Sequence, residues 1–107
     1  MESLYKLLYK IKVKPALFFG VQYPSLERLN EFIGGYTFRQ AEIDSRPCDE
    51  YFYNGFREFV AQKYKITLSR SWRSIIDFHS VSADDAWETF YKLLDEYLGE
   101  KKSLYTE

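Results

Sequence analysis

The sequence predicts an all-α fold, a single compact bundle of about five helices with short connectors. Three observations carry that expectation. Apolar residues recur at helical spacing through most of the chain. Proline, glycine and serine fall between the periodic stretches, where helices start and stop. A length of 107 residues with 46% apolar and 20% aromatic content is enough for one hydrophobic core without disulfides or metals. The domain is expected to span residues 1–107, with 102–107 as a frayed tail.

The clearest helix lies in the stretch Ser80 to Gly99. Ser82 has the chemistry of an N-cap, and Asp85 can complete a capping box. Val81 and Ala86 occupy the positions of a hydrophobic staple. Ala83, Ala86, Trp87, Phe90, Leu93, Leu94, Tyr97 and Leu98 form its apolar side, and Glu88, Lys92, Asp95 and Glu96 the other. Gly99 is a natural stop, followed by Lys101 and Lys102 on the side the helix dipole prefers for cations.

The remaining elements follow from the N-terminus. Leu4, Leu7, Leu8 and Ile11 give a first helix over residues 3–13, with Lys6, Lys10 and Lys12 outside its stripe. Pro15 pushes Lys14 out of the helical region and ends it. A basic amphipathic N-terminus can lie on a membrane, but this segment is short and its stripe narrow, so packing on the core is the better reading. Leu17, Phe18 and Phe19 in the connection PALFFGVQYP are expected to plug the core, with Gly20 permitting a turn. A second helix starts at Pro24-Ser25 and carries Leu26, Leu29, Phe32, Ile33 and Tyr36 on one face. Gly34-Gly35 either breaks it or admits a close backbone. The register of Phe38, Ala41 and Ile43 favours continuation to Ile43. Residues 44–49 read as a loop. A third helix is expected near 50–64, capped by Asp49, with Phe52, Phe56, Phe59, Val60 and Tyr64 inward and Tyr51 and Tyr53 off the stripe. After the connector KITLSR, Ser69 or Ser71 can cap a short helix with Trp72, Ile75, Ile76 and His79 on one face.

Charge narrows the function. The net charge of −1 argues against a general nucleic-acid binder. Its distribution is uneven. Residues 59–73 hold Lys63, Lys65, Arg70 and Arg73 and no acid, whereas residues 74–100 hold seven acids against Lys92. Glu42, Asp44, Asp49 and Glu50 add a second acidic run against Arg46. Such runs are ordinarily solvated faces, and otherwise they meet a basic partner. The lone Cys48 excludes an internal disulfide, and its acidic neighbours disfavour a thiolate. Histidine occurs once, as His79, and reads as structural near a helix end. The carboxylate pairs Asp49-Glu50, Asp84-Asp85 and Asp95-Glu96 sit at helix starts or polar faces, where solvation is the better reading than acid–base work. No phosphate-binding glycine loop, metal-ligand cluster or nucleophile elbow is visible. The expectation is therefore no catalytic residue, no cofactor and no metal, and a cytoplasmic protein without a membrane segment.

Several stretches together resemble a family of small bacterial immunity proteins encoded beside polymorphic toxins, including those of contact-dependent growth inhibition. They are the early helix leading to KPALFFG, then SLERLNEFIGGY, FREFVAQKY, SWRSII and DDAWETFYKLLDEYL. Pro15, Gly35, Tyr36 and Trp72 are the landmarks, and the resemblance covers residues 11–98. Phe18-Phe19 stands in place of a more polar pair, and segment 42–54 has no counterpart. The resemblance implies a protein that binds the C-terminal toxin domain of a delivered effector, often a nuclease, and blocks it. The toxin-reading surface would then combine Glu42, Asp44, Asp49, Glu50, Tyr51 and Tyr53, with Asp84, Asp85 and Glu88 as a second patch. The protein is expected to be a monomer or a weak homodimer and not to bind nucleic acid directly. The alternative from the residues is an interaction adaptor or a subunit of a larger assembly with no toxin partner. A small nucleic-acid or regulatory protein using Lys63, Lys65, Arg70 and Arg73 is a further class, disfavoured by the net charge.

Overall fold

A computed structural model describes residues 3–22, 24–44 and 55–105. Helices α1 (Leu4–Val13), α2 (Pro15–Phe19), α3 (Leu26–Asp44), α4 (Arg57–Lys63), α5 (Trp72–Phe78) and α6 (Ala83–Leu98) are followed by a 3₁₀ helix over Gly99–Leu104. There is no strand among the described residues. The fold is the expected all-α bundle, with five helices of seven or more residues.

α6 lies against α3, α5 and the 3₁₀ helix, and it buries Ala86, Trp87, Phe90, Tyr91, Leu93, Leu94 and Leu98. At its start, Ser82 Oγ accepts from the Asp85 N–H at 3.1 Å. Asp85 reaches back one residue further than a capping box requires, accepting from the Val81 N–H at 3.0 Å. The expected staple is absent, because Val81 is 93% exposed while Ala86 is buried. Phe56, just ahead of α4, shows how the aromatic share is used. It is fully buried, with its ring centroid 5.7 Å from Trp72, 5.6 Å from Phe90 and 5.4 Å from Tyr97, all edge-on. Edge-to-face packing suits the ring quadrupole and adds to the burial of the rings themselves.

α1 contributes Leu4, Leu8 and Ile11 to this core, as its stripe predicts. The segment after Pro15 differs from expectation. It closes into the single helical turn of α2, stopped by Gly20 in the left-handed region at φ 78°. That turn points Leu17 outward, 76% exposed, and leaves Phe18 exposed too; only Phe19 packs against the core. Phe19 and Phe18 instead meet Phe32 edge-on at 5.8 and 6.3 Å.

α3 runs unbroken through Gly34-Gly35. A Cβ at Gly35 would meet nothing within 4 Å, so neither a break nor a close backbone explains it. Leu26, Leu29 and Ile33 are buried, but the register beyond them differs from the sequence reading. Phe38 is 71% exposed and Ile43 is also exposed, while Gln40 is buried at 2%. Helical spacing from Ile33 leads to Gln40, seven residues on, and not to Phe38.

The helix expected over 50–64 is seen from Arg57 to Lys63, with Val60 buried as predicted. The Arg57 guanidinium holds the following connector, donating to the carbonyls of Arg70 and Leu68, both at 2.9 Å. Ser71, and not Ser69, caps α5 by accepting from the Ser74 N–H at 3.1 Å. His79 ends α5 and is exposed rather than sharing its buried face. Its Nδ1 lies 2.8 Å from the Ile75 carbonyl, which can only accept, so Nδ1 carries the proton. The ring stacks on Tyr64 at 4.4 Å, which fits the structural role read from sequence. At the C-terminus, residues assigned in part to a frayed tail form the 3₁₀ helix, and Tyr105 rests its ring 5.1 Å from Tyr5 of α1.

Candidate functional site

The acidic residues singled out by sequence fall into three groups. Asp49, Glu50, Tyr51 and Tyr53 lie outside the described residues, as does Cys48. Glu42 is exposed on the last turn of α3, with Arg39 3.8 Å away, and Asp44 ends that helix. Asp84, Asp85 and Glu88 stand on the first two turns of α6. Asp85 is committed to the cap, whereas Asp84 and Glu88 are exposed and form no ion pair among the described residues. Further along α6 the charge is compensated. Glu96 pairs with Lys63 at 2.5 Å and Asp95 with Lys102 at 3.2 Å. The free negative charge of α6 is therefore concentrated at its N-terminal end.

The same pairings bear on the basic run of residues 59–73. Lys63 is engaged by Glu96, and Arg73 has Asp77 at 3.5 Å. Exposed pairs of this kind contribute little stability, but they leave fewer cations to face a phosphate backbone.

A concavity lies elsewhere. A groove of about 820 Å³, open to solvent, runs between α1, α2 and the C-terminal 3₁₀ helix. Among the described residues, its lining includes Lys6, Lys10, Lys12, Lys14 and Lys102 and no carboxylate. Its apolar lining is Val13, Leu17 and Phe18, with Tyr9 and Tyr105 as the aromatic part. The four N-terminal lysines sit outside the α1 stripe, as the sequence indicates. Their role in a groove was not legible, because its other side comes from α2 and from residues some ninety positions later.

The groove is braced from within. The Tyr9 hydroxyl donates to Asp95 Oδ1 at 2.5 Å, and Lys102 meets Asp95 Oδ2 at 3.2 Å. One carboxylate thus joins α1, α6 and the 3₁₀ helix. Tyr91 ties α6 to α1 a second time by donating to the Leu8 carbonyl at 2.7 Å. Burial raises the pKa of both phenols far above the ordinary tyrosine value; the hydrogen bond and charge of Asp95 add to this for Tyr9, and neighbouring Tyr9 for Tyr91. Both hydroxyls are fixed donors across the physiological range. Lys12 extends over the Tyr91 ring at 5.6 Å from its centroid, a cation–π contact. A smaller hollow beside it, about 270 Å³, is shared by Lys12, Glu88 and Lys92.

Among the described residues, no group of three or more His, Cys, Asp or Glu could hold a metal ion. Among them, too, no helix is long and apolar enough to cross a membrane. No family model, curated protein or solved structure matches the chain. The fold and surfaces thus define a small helical protein with an acidic helix start and a separate basic, apolar-lined groove.

Proposed function

We propose that this protein is an immunity protein. It binds and neutralises a cognate toxin domain, a nuclease acting in the cytoplasm, of a contact-dependent growth inhibition system. It does so by occupying the toxin and without catalysis. The observation that carries the reading is the pair of exposed carboxylates at Asp84 and Glu88 on a well-capped helix, neither in an ion pair among the described residues. The stretches resembling toxin-linked immunity proteins support it, and so does the second acidic run of Glu42, Asp44, Asp49 and Glu50 with Tyr51 and Tyr53.

The physical argument is complementarity. A nuclease site is basic because it holds phosphate, and carboxylates on a rigid helix imitate that charge. Opposite potentials also steer the encounter and raise the association rate. The reading is tested by mixing the purified toxin domain with wild-type protein and with the double variants Asp84→Lys/Glu88→Lys and Asp49→Lys/Glu50→Lys. A stoichiometric complex is expected with wild type, and at low salt the variants should associate at least about tenfold more slowly. An unchanged rate for either variant removes its patch from the interface, and absence of a complex removes the proposal.

A second reading, an adaptor or a subunit of a larger assembly with no toxin partner, draws on the basic groove. Its exposed Val13, Leu17 and Phe18 are not used by the core.

A further inference from the structure

The groove between α1, α2 and the 3₁₀ helix combines two features. Val13 and Leu17 are largely exposed aliphatic side chains that both line the same concavity. Among the described residues, the lining around them carries five lysines and no acid, with Lys102 held by Asp95 behind the wall. The positive charge keeps the apolar surface from self-associating, since two copies would bring their lysines together. It also specifies the sign of what can cover that surface.

We propose that this groove receives an acidic amphipathic helix from a protein partner, its apolar stripe resting on Val13, Leu17 and Phe18 and its carboxylates meeting the surrounding lysines. The inference does not depend on that partner being a toxin. Charge complementarity supplies the sign, and shape supplies the class. A helix is a rod roughly 10–12 Å across that can lie in an open groove and bring one stripe to its floor. A nucleic-acid strand would satisfy the lysines and could stack a base on the Phe18 ring, but it would leave the exposed aliphatic side chains of Val13 and Leu17 uncovered. The groove is also preorganised. Asp95 holds Tyr9 and Lys102 in place, so part of its wall is ordered before a partner arrives.

The test uses the full chain and a synthetic fluorescent peptide with leucines on one helical stripe and glutamates on both flanks. A scrambled peptide of the same composition is the control. Binding is followed by anisotropy, and its location by amide chemical-shift changes. Saturable binding is expected, with shifts confined to α1, α2 and the 3₁₀ helix. The scrambled peptide, the Leu17→Glu variant and the Lys10→Glu/Lys14→Glu variant should each bind at least about tenfold more weakly. Leu17 and both lysines are exposed, so these variants keep the core intact. Equal binding of the two peptides would reduce the groove to unspecific charge attraction and overturn the proposal. So would no binding, indifference to Leu17→Glu, or shifts centred on another face. Leu17-dependent binding to phosphatidylglycerol vesicles with no peptide binding would assign the groove to a lipid surface instead and equally overturn it.

Discussion

Removing the Tyr9 hydroxyl tests how the groove wall is held. In the folded protein that hydroxyl donates to Asp95 Oδ1 at 2.5 Å, and the other carboxylate oxygen takes Lys102 at 3.2 Å. A hydrogen bond to a charged group contributes about 1.5–3 kcal/mol net, and the partial exposure of Asp95 argues for the lower half of that range. Tyr9→Phe should therefore cost about 1.5–2 kcal/mol. Lys102→Ala breaks a half-exposed ion pair, which should cost less than about 1 kcal/mol. Tyr91→Phe is the internal comparison. It removes a bond of 2.7 Å to a neutral carbonyl and should cost about 0.5–1.5 kcal/mol. Urea unfolding followed by fluorescence is the assay, since Trp72 and Trp87 are both buried reporters. A cycle of Tyr9→Phe with Asp95→Ala should give a coupling energy of about 1 kcal/mol or more. Coupling below about 0.3 kcal/mol, or a cost for Tyr9→Phe no larger than for Tyr91→Phe, would refute the carboxylate clamp.

Other perturbations reach different parts of the fold. Phe56→Ala empties the site shared by Trp72, Phe90 and Tyr97 and should lower stability by about 3–5 kcal/mol in the same urea assay. Ser82→Ala should cost about 0.5–2 kcal/mol through loss of the α6 cap, as should Ser71→Ala at α5; thermal melts of both variants check this. Gly35→Ala should stabilise the protein by about 0.5–1 kcal/mol, because the position is helical and a Cβ meets nothing; a lowered melting temperature would show that the glycine is needed. Alkaline pH should destabilise the fold. The unfolded chain releases the protons of Tyr9 and Tyr91 near pH 10, while their raised native pKa values keep both protonated, so stability is complete below that pH and falls above it. The slope approaches about 1.4 kcal/mol per pH unit for each phenol, and urea midpoints should lose that dependence in the Tyr9→Phe/Tyr91→Phe variant.

Local signals translated into structure where a residue acts on its own backbone. Ser82 and Ser71 cap the helices they precede, and Pro15 and Gly20 bound α2. The α6 stripe was legible because sixteen residues average out any single exception. Failures came where the answer depends on which way a short element faces. Hydrophobicity alone assigned Leu17 and Phe18 to the core, but a helix of one turn buries only one side. At Phe38 the apolar side chain outweighed the register in the reading, while the helix geometry buried Gln40. The candidate surfaces divide similarly. Asp84 and Glu88 stand on an exposed helix start, as their charge and cap position suggested. The basic groove was hidden because no sequence window holds both Leu17 and Lys102.

The most direct test of the immunity reading is growth rescue by co-expression. The toxin domain encoded immediately upstream would be induced in cells that carry this protein, the Asp84→Lys/Glu88→Lys variant, or neither. Growth should return with the wild-type protein, weaken with the variant, and fail without either, and toxin and wild-type protein should purify as one stoichiometric complex. Equal death with and without the protein, or no toxin gene beside it, would contradict the account and leave the adaptor reading in its place.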